Sequence, residues 1–433
     1  MDKFMETFER MESNVRSYCR SFPTIFTRAR NAILEDVNGK CYIDFFAGAG
    51  TLNYGHNNPG FKEALIEYIR DDGITHALDM ATLAKQRFLA TLESTILRPR
   101  NLTYKVQFTG PTGTNAVEAA LKLARRVTGH PTVIAFTGGF HGMTLGSVAA
   151  TANRHYRRAV GQPLSNVVFM PYDGYLGAEV DSIDYVQRML SDRSSGLDQP
   201  AAMLVETIQG EGGINVARAD WLRRLSTLCR QHGILLIIDD IQMGCGRTGD
   251  FFSFEEAGIV PDMITLSKSL SGYGLPMSVV LIRPEIDQWQ PGEHSGTFRG
   301  NNLAFVAGAA ALEQYWQDGR FAAQSQRKGR HLRARLSQIA EELSDLPLKV
   351  RGRGMIQAID CQSGELAQSA CRAAFDRGLV IETSGARDQV IKFIPPLTIP
   401  DDELDRGLDI LRESLLSIRQ SQLEARKLRT EST

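Results

Sequence analysis

Seven short runs of β-forming residues, with helical patterns between several of them, constrain the fold of this chain more than any other feature. The runs are KVQFT (105–109), TVIAFT (132–137), VVFMP (167–171), AMLVET (202–207), LLIID (235–239), MITLS (263–267) and SVVLI (278–282). Strands that alternate with helices predict an α/β fold with a mostly parallel, seven-stranded sheet covered on both faces. Only about ten residues separate the last two runs, which is short for a crossover, so we expect an antiparallel strand there.

The regular alternation of predicted strands and helices is absent before residue 60 and after about residue 320. Near the C-terminus, LKVRGRGMIQAID and QVIKFIPPLTI resemble strands that lie beside long amphipathic helices. We therefore predict a large domain over residues 61–320 and a smaller α+β domain that residues 1–60 and 321–433 build together. The chain of 433 residues is long enough for both.

The balance of charged residues and the spacing of the cysteines indicate which partners and which cellular compartment to expect. The chain has 49 Lys and Arg against 50 Asp and Glu, so its charge gives no reason to expect a nucleic acid or a membrane surface as a partner. The start, MDKFMETFERMESNVRSYCR, has no apolar stretch of the kind found in signal peptides, and no run reaches the roughly 18 apolar residues of a membrane span. Six cysteines are scattered without a CxxC pair. We expect a cytoplasmic protein with reduced thiols.

Candidate binding residues follow the first two runs, and ligands of parallel sheets bind beyond the carboxyl ends of the strands. Gly113 and Thr114 open a helix, where backbone N–H groups can bind a phosphate, although Thr112 or Thr114 could simply cap that helix. Phe140 and His141 lie on a glycine-flanked turn. Phe140 can stack on a flat ring or pack in a core, and His141 can be a satisfied loop residue.

Two further candidates follow later runs. Asp239 and Asp240 end LLIIDD, and a buried carboxylate is costly unless a cation pairs with it, yet no Lys or Arg follows before Arg247. Asp239 could also cap a turn or meet a distant arginine. Lys268 ends MITLSK, where burial would lower its pKa and make the amine a nucleophile, unless the side chain extends to solvent.

These features together match the requirements of pyridoxal 5'-phosphate. Its phosphate needs a helix N-terminus, its ring an aromatic neighbour, its pyridine nitrogen a carboxylate and its aldehyde a lysine. The chain has no HExxH motif, and neither His141 nor His294 has a partner at the spacing of metal ligands, so we expect no metal site. It has no GxSxG motif either, so we expect no esterase-type serine nucleophile.

Six motifs closely resemble those of the class III aminotransferases, which have the type I fold of pyridoxal-phosphate enzymes. They are PTGTNAVEAALKLAR, GGFHGMTLGS, ETIQGEGG, LLIIDDIQMGCGRTG, ITLSKSLSGYGLP and EHSGTFRGNNLAF, in the order of the family. The resemblance covers nearly the whole chain. It implies a PLP-dependent aminotransferase whose substrates are a small amino donor and a 2-oxo acid.

The resemblance also implies a role for individual residues. Lys268 matches the lysine that binds the cofactor covalently, and Asp239 matches the acid on the pyridine nitrogen. The other matching positions are Gln242 near the phenolic oxygen of the ring, Gly113 and Thr114 at the phosphate, Phe140 on the ring face and Thr297, which reaches the phosphate from a neighbouring subunit. The last match implies a homodimer or higher homo-oligomer with shared active sites.

The chain departs from the family pattern where substrates bind. Glu211 matches a gating glutamate that some members pair with an arginine, but Lys392 stands where that arginine usually lies. Met143 stands where several members have an arginine after the HG pair, and Asp240 where the family usually has Glu. A lysine offers a point charge instead of a two-pronged guanidinium, so the group that binds the substrate carboxylate is left open.

Within the family, three stretches are similar to members that exchange an amino group between L-2,4-diaminobutyrate and 2-oxoglutarate in ectoine biosynthesis. They are DDIQMGCGRTGDFFSFE, HSGTFRGNNLAF and RSYCRSFPTIFTRA. One alternative is a class III enzyme that acts on ornithine or 4-aminobutyrate. Another is a cofactor-binding protein that has lost catalysis, although Lys268 and Asp239 weigh against it.

Overall fold

The computed structural model describes residues 5–177 and 179–431. In these ranges the helices are α1 (Glu6–Met11), α2 (Tyr18–Ser21), α3 (Ala47–Gly50), α4 (Pro59–Arg70), α5 (Leu83–Leu92), α6 (Gly113–Thr128), α7 (Leu145–Ala150), α8 (Arg154–Arg158), α9 (Ser182–Ser191), α10 (Ala219–His232), α11 (Asn302–Tyr315), α12 (Arg320–Glu342), α13 (Gly364–Asp376) and α14 (Asp401–Glu431). A π-helical turn covers Glu93–Leu97, and short 3-10 helices cover Arg98–Arg100, Glu255–Ala257, Lys268–Ser271 and Pro284–Ile286. None of the helices in the described ranges combines the length and the apolar character that crossing a membrane requires.

The strands form a large central sheet and three smaller ones. They are β1 (Phe26–Arg30), β2 (Ile33–Asp36), β3 (Cys41–Asp44), β4 (Lys105–Phe108), β5 (Val133–Phe136), β6 (Val167–Met170), β7 (Ala202–Val205), β8 (Ile208–Gln209), β9 (Asn215–Val216), β10 (Leu235–Asp239), β11 (Met263–Leu266), β12 (Val279–Ile282), β13 (Lys349–Arg353), β14 (Ile356–Asp360), β15 (Leu379–Val380), β16 (Glu382–Ser384) and β17 (Val390–Phe393). The central sheet has the order β4-β12-β11-β10-β7-β5-β6.

The seven strands of the central sheet are the seven runs that the sequence predicts. Six of them are parallel, and β12 is antiparallel to both of its neighbours, β11 and β4. The expectation of an antiparallel strand after the short connection is therefore confirmed.

Alternate residues of the central strands enter two separate hydrophobic cores, which is why the runs read as continuous apolar stretches. Ile237 and Val280 belong to the core that α6 covers, whereas Ile238 and Val279 belong to the larger core on the other face. Both faces of the sheet are buried, as in other sheets covered by helices. Only the strand ends remain free to carry polar groups.

The two ends of the chain meet in one of the smaller sheets. Its order is β1-β2-β3-β15, and Leu379 of β15 pairs with Ile43 of β3 in parallel. A second sheet, β13-β14-β17-β16, lies wholly in the C-terminal part. The division into domains at residues 60 and 320 stays a prediction, and the ranges proposed for it include residues 1–4, 178, 432 and 433, which lie outside the described residues.

Candidate active site

A cavity of about 270 Å³ lies at the carboxyl ends of the central strands. It brings together seven of the nine residues that the sequence suggests for the site. They are Gly113, Thr114, Phe140, Glu211, Asp239, Gln242 and Lys268. The other two, Lys392 and Thr297, do not line this cavity.

Lys268 follows the last residues of β11 and begins a 3-10 helix with a positive φ of 49°. A left-handed conformation is uncommon for a lysine and persists only where the surrounding structure enforces it. The Nζ atom donates a hydrogen bond of 2.8 Å to the carbonyl oxygen of Ala49. Burial of the amine lowers the pKa of Lys268 to about 8, which agrees with the expectation of a desolvated lysine.

The carbonyl group that holds Lys268 lies on an unusual turn. In α3 all residues from Ala47 to Gly50 have positive φ, so this is a single left-handed turn. Such a conformation costs an L-residue roughly 1–2 kcal/mol. Ala49 presents its oxygen to Lys268 and, at 3.2 Å, to the side-chain amide of Gln242. The segment AGAG (Ala47–Gly50), which belongs to the N-terminal part of the chain, thus positions the amine of Lys268.

Asp239 ends β10 and has a protein partner that the sequence did not reveal. Its Oδ2 atom lies 2.7 Å from Nδ1 of His141, and its Oδ1 atom accepts hydrogen bonds from the Thr265 hydroxyl at 3.1 Å and from the Ile241 N–H at 3.3 Å. Burial alone would lower the pKa of His141, but the hydrogen bond and the charge of Asp239 raise it above its ordinary value. A loop histidine therefore orients the acid and can neutralise it before any cofactor binds.

Asp240 points away from Asp239, as alternation along a strand requires. Its carboxylate accepts hydrogen bonds from the hydroxyl and, at 3.1 Å, from the N–H of Ser253. Burial raises the pKa of Asp240 to about 7, against the lowering effect of these bonds. Asp240 does not line the cavity, so its position fits a structural role.

Glu206 is a cavity residue that the sequence reasoning missed. It accepts a hydrogen bond of 3.0 Å from the N–H of Phe140, and burial raises the pKa of its carboxyl to about 7. A signal existed, because Glu206 follows β7 in AMLVET just as Asp239 ends LLIID. Tyr18 and Tyr156 also line the cavity, and no feature of the sequence distinguishes them from ordinary tyrosines.

The first residues of α6, Gly113 and Thr114, line the cavity. Thr112 is the residue before the helix, and its N–H donates to the side chain of Asn115 at 3.1 Å, so the helix is capped one residue before Gly113. The hydroxyl of Thr114 lies 2.7 Å from that of Thr144. A Cβ atom at Gly113 would lie 2.9 Å from the end of the Ile241 side chain, so glycine lets the loop pass close to this residue, the second after Asp239.

Lys392 is fully buried and held by two carboxylates. Its Nζ atom lies 2.6 Å from Oε1 of Glu211 and 2.7 Å from Oε1 of Glu382. Glu382 stands directly opposite Lys392 in the antiparallel pair of β16 and β17. Burial would lower the pKa of Lys392, but the two carboxylates raise it, so the amine is charged. The sequence left open whether Glu211 pairs with a lysine at this position, and the contact of Glu382 was not anticipated.

Thr297 lies on an exposed turn outside the cavity of its own chain. The turn contacts the segment around His76 and Asp79, since the ring centroids of Phe298 and His76 are 5.3 Å apart and Arg299 lies 3.7 Å from Asp79. The exposed apolar residues of this region are Ile74, Leu78, Met80, Leu83 and Phe298.

A family model described as aminotransferase class III matches residues 16–415. The chain belongs to this family. The cavity of this aminotransferase has a buried lysine at the end of one strand and a carboxylate at the end of the next strand in the sheet.

Several relatives cover almost the full length of this aminotransferase. A diaminobutyrate–2-oxoglutarate transaminase of Bordetella parapertussis is 61% identical over 412 residues, which is 95% of each chain. Proteins with the same name from Nocardia farcinica and Halomonas elongata are 58% and 57% identical and cover 92% and 98% of their own length.

Solved structures share the fold. The ornithine aminotransferase of Toxoplasma gondii superposes with a TM-score of 0.83 at 27% identity and covers 96% of this chain and 95% of its own. An S-selective transaminase from Arthrobacter has a TM-score of 0.87 at 22% identity and covers 97% and 98%. The type I fold predicted from the sequence is confirmed.

Pyridoxal 5'-phosphate is the cofactor of this aminotransferase, and the residues at the cavity fit it. The buried amine of Lys268 is available to an aldehyde because its pKa is lowered to about 8. Asp239, which the resemblance matches to the acid at the ring nitrogen, is fixed by three hydrogen bonds. The first N–H groups of α6 lack partners within the helix, as at every helix start, and can bind the phosphate. In the described part of the chain no group of three or more acidic, histidine or cysteine side chains is placed to hold a metal ion.

Proposed function

We propose that the protein transfers an amino group between L-2,4-diaminobutyrate and 2-oxoglutarate, giving L-aspartate 4-semialdehyde and L-glutamate. In ectoine biosynthesis the reaction runs toward L-2,4-diaminobutyrate, with L-glutamate as the donor. The observation that carries the proposal is the 57–61% identity to transaminases of this name in Bordetella, Nocardia and Halomonas, over at least nine-tenths of both chains. The alternatives are class III enzymes that act on ornithine or 4-aminobutyrate, and Met143 and Lys392, which stand where several or most family members have arginine, weigh against a plain copy of either.

Lys268 is the acid–base residue of the proposed mechanism. When bound, pyridoxal phosphate supplies the aldehyde that takes up the amino group and the ring that withdraws electrons. The Nζ atom of Lys268 removes a proton from C4 of L-2,4-diaminobutyrate and, in the other half-reaction, delivers one to C2 of 2-oxoglutarate. A pKa of about 8 suits both tasks, because an acid–base group works best when its pKa lies near the operating pH.

Asp239 would keep the proton on the ring nitrogen, and His141 would keep Asp239 in place. The contact of 2.7 Å between the two side chains fixes the carboxylate at the end of β10. Gly113 and Thr114 would hold the phosphate and Phe140 would cover the ring. Gln242, oriented by the carbonyl oxygen of Ala49, would donate to the phenolic oxygen. These groups are fixed before substrate binds, which is the condition for efficient electrostatic catalysis.

We further propose that two copies of the chain complete each active site. Thr297 would reach the phosphate held by the neighbouring subunit. The exposed apolar side chains around Thr297, among them Phe298 and Met80, support an interface there, because monomers rarely expose contiguous apolar surface. All six cysteines are free thiols, which supports our proposal of a cytoplasmic protein.

An amino-donor screen with 2-oxoglutarate as acceptor tests the function. We expect kcat/KM to be highest for L-2,4-diaminobutyrate, with L-ornithine and 4-aminobutyrate well below it, and glutamate to form in equal amount to the aldehyde. Lys268→Ala removes the amine and should abolish turnover while the fold persists, whereas Lys62→Ala, on the exposed face of α4, should leave turnover unchanged. A higher kcat/KM for ornithine or 4-aminobutyrate would contradict the proposal.

A further inference from the structure

A larger cavity of about 1010 Å³, called the outer cavity below, shares part of its lining with the site. Phe140, Tyr156 and Glu211 line both cavities, so the two spaces are adjacent at these side chains. The Tyr156 and Phe140 rings meet edge to face at 5.3 Å. These shared side chains thus separate the space beside Lys268 from the outer cavity, which is the adjacent space where the far end of a substrate could lie.

The outer cavity has two cationic side chains in its described lining, and only one of them is free. Arg351 donates to the carbonyl oxygen of Gly213 at 2.8 Å and pairs with Asp360 at 3.2 Å. The guanidinium of Arg154, at the start of α8, has neither a hydrogen bond nor an ion pair with any residue in the described part of the chain. Arg154 thus keeps all its donors available at the wall of the cavity.

The acids of the outer cavity are already engaged by other cations. Asp173 pairs with Arg218 at 2.9 Å, and Glu211 pairs with Lys392 at 2.6 Å. Lys392 in turn is fully buried between Glu211 and Glu382 and cannot turn toward a substrate carboxylate without leaving both. Met143, which stands where several family members have arginine, carries no charge. Arg154 is the cation that remains.

Both substrates of the proposed function carry a carboxylate at the same distance from the reacting carbon. In L-2,4-diaminobutyrate the amino group on C4 reacts and the carboxylate is C1, whereas in L-glutamate the amino group on C2 reacts and the distal carboxylate is C5. The number of bonds between the two carbons is equal. One cation in the outer cavity can therefore serve both half-reactions, and a guanidinium binds a carboxylate with two parallel hydrogen bonds.

We propose that Arg154 binds this carboxylate, the C1 group of L-2,4-diaminobutyrate and the C5 group of L-glutamate or 2-oxoglutarate. The inference rests on the proposed function for the identity of the substrates, but not for the charge and position of Arg154. It assigns to α8 the role of choosing the end of L-2,4-diaminobutyrate that reacts, because a carboxylate held in the outer cavity places C4, and not C2, beside Lys268.

Paired donors test the proposal with the holoenzyme. L-2,4-Diaminobutyrate carries the carboxylate, and 1,3-diaminopropane is the same molecule without it. We expect Arg154→Ala to lower kcat/KM for L-2,4-diaminobutyrate roughly tenfold or more, as for the loss of a charged hydrogen-bond pair, and to leave 1,3-diaminopropane within about twofold of the parent. Arg154→Lys should recover part of the loss. Arg158→Ala, an exposed arginine on the same helix that lines neither cavity, is the matched control.

A binding measurement separates this inference from the proposed function. Calorimetric titration with glutarate, an unreactive dicarboxylate with the spacing of 2-oxoglutarate, should show a Kd roughly tenfold weaker in Arg154→Ala than in the parent or in Arg158→Ala. No turnover of L-2,4-diaminobutyrate by the parent would refute the proposed function and leave this titration to decide on Arg154. Equal losses for both donors, or unchanged or undetectable glutarate binding in all forms, would overturn the role of Arg154. If the parent does not use 1,3-diaminopropane, the titration decides alone.

Discussion

Two neighbouring carboxylates, Asp239 and Asp240, show how one step along a strand separates a catalytic environment from a structural one. Asp239 faces the cavity and His141, whereas Asp240 faces Ser253 and the interior. The sequence predicted an acid without a protein cation at Asp239. That interpretation was incomplete, because His141 comes from a loop nearly a hundred residues away and its position depends on how that loop folds.

Asp239→Asn should retain part of the cofactor and lose most of the rate. The amide cannot hold the proton of the ring nitrogen, and removing one fixed charge partner typically costs roughly 100- to 1000-fold in kcat. Steady-state kinetics with saturating cofactor measure the loss, and Asp240→Asn is the control because its side chain does not reach the cavity. A variant within twofold of the parent would mean that Asp239 only terminates the strand.

Asp240→Asn should change how stability depends on pH. Burial raises the pKa of the Asp240 carboxyl from its ordinary 3.8 to about 7, so between these values the folded chain binds one more proton than the unfolded chain. This contribution to the free energy of unfolding is complete below pH 3.8 and is lost as pH rises to about 7, at up to about 1.4 kcal/mol per pH unit. The asparagine variant lacks it.

Urea unfolding of both proteins between pH 4 and pH 8 measures the effect. The free energy of unfolding of the variant, relative to the parent, should rise from pH 4 to about pH 7 and stay constant above it, by a few kcal/mol in total. A difference that does not vary with pH would show that Asp240 is ionised throughout.

At the scale of elements, the helix α11 determines where the segment with Lys268 lies. A Cβ atom at Gly308 of α11 would lie 2.9 Å from the carbonyl oxygen of Leu270 and 3.0 Å from the ring of Phe88. Leu270 belongs to the 3-10 helix that begins at Lys268. The absence of a side chain at Gly308 thus lets a helix pack directly against the backbone that carries the amine.

Gly308→Ala should therefore destabilise the protein and weaken cofactor retention together. The added methyl group overpacks the contact, which typically costs about 1–3 kcal/mol, and moves the Lys268–Ser271 helix. Thermal unfolding and cofactor release on dialysis measure the two effects. Gly319→Ala has no atom within 4 Å of its new Cβ and should change neither. Lower stability with unaltered cofactor retention would show that α11 supports the fold alone.

The elements that the sequence predicts well are those whose pattern is strong and local. The central strands were found because each is apolar and short, and the order of motifs identified the family. The left-handed turn at Ala47–Gly50 could not be predicted, since alanine disfavours that conformation and only the docked structure enforces it. The contact of Glu382 with Lys392 depends on the register of β16 and β17, which no local pattern reveals.

At the scale of the whole molecule, the proposed sharing of the active site between two chains can be tested directly. Thr297 is exposed in one chain and bordered by apolar side chains such as Phe298. A symmetric dimer repeats every contact, so each Thr297 would serve the phosphate held by the other chain. In a mixed dimer of Lys268→Ala and Thr297→Trp, one site has both lesions and the other has neither.

Subunit exchange between these two inactive variants should therefore restore part of the activity. Native mass spectrometry confirms the exchange, and the transaminase assay measures the recovery. Thr297→Ala alone should weaken cofactor retention. Confirmed exchange without any recovery, with both parents folded, would place Thr297 outside the site of the partner.

The pairing of β3 with β15 cannot form until nearly the whole chain has been synthesised. Ile43 is synthesised 336 residues before Leu379, its neighbour in the sheet. At about 5–20 residues per second, the N-terminal strands wait on the order of tens of seconds with an unpaired edge. An unpaired edge strand is an aggregation hazard, so we expect nascent chains shorter than this point to depend on chaperones. The edge that leads directly into the turn holding the amine of Lys268 is thus among the last parts of the protein to be completed.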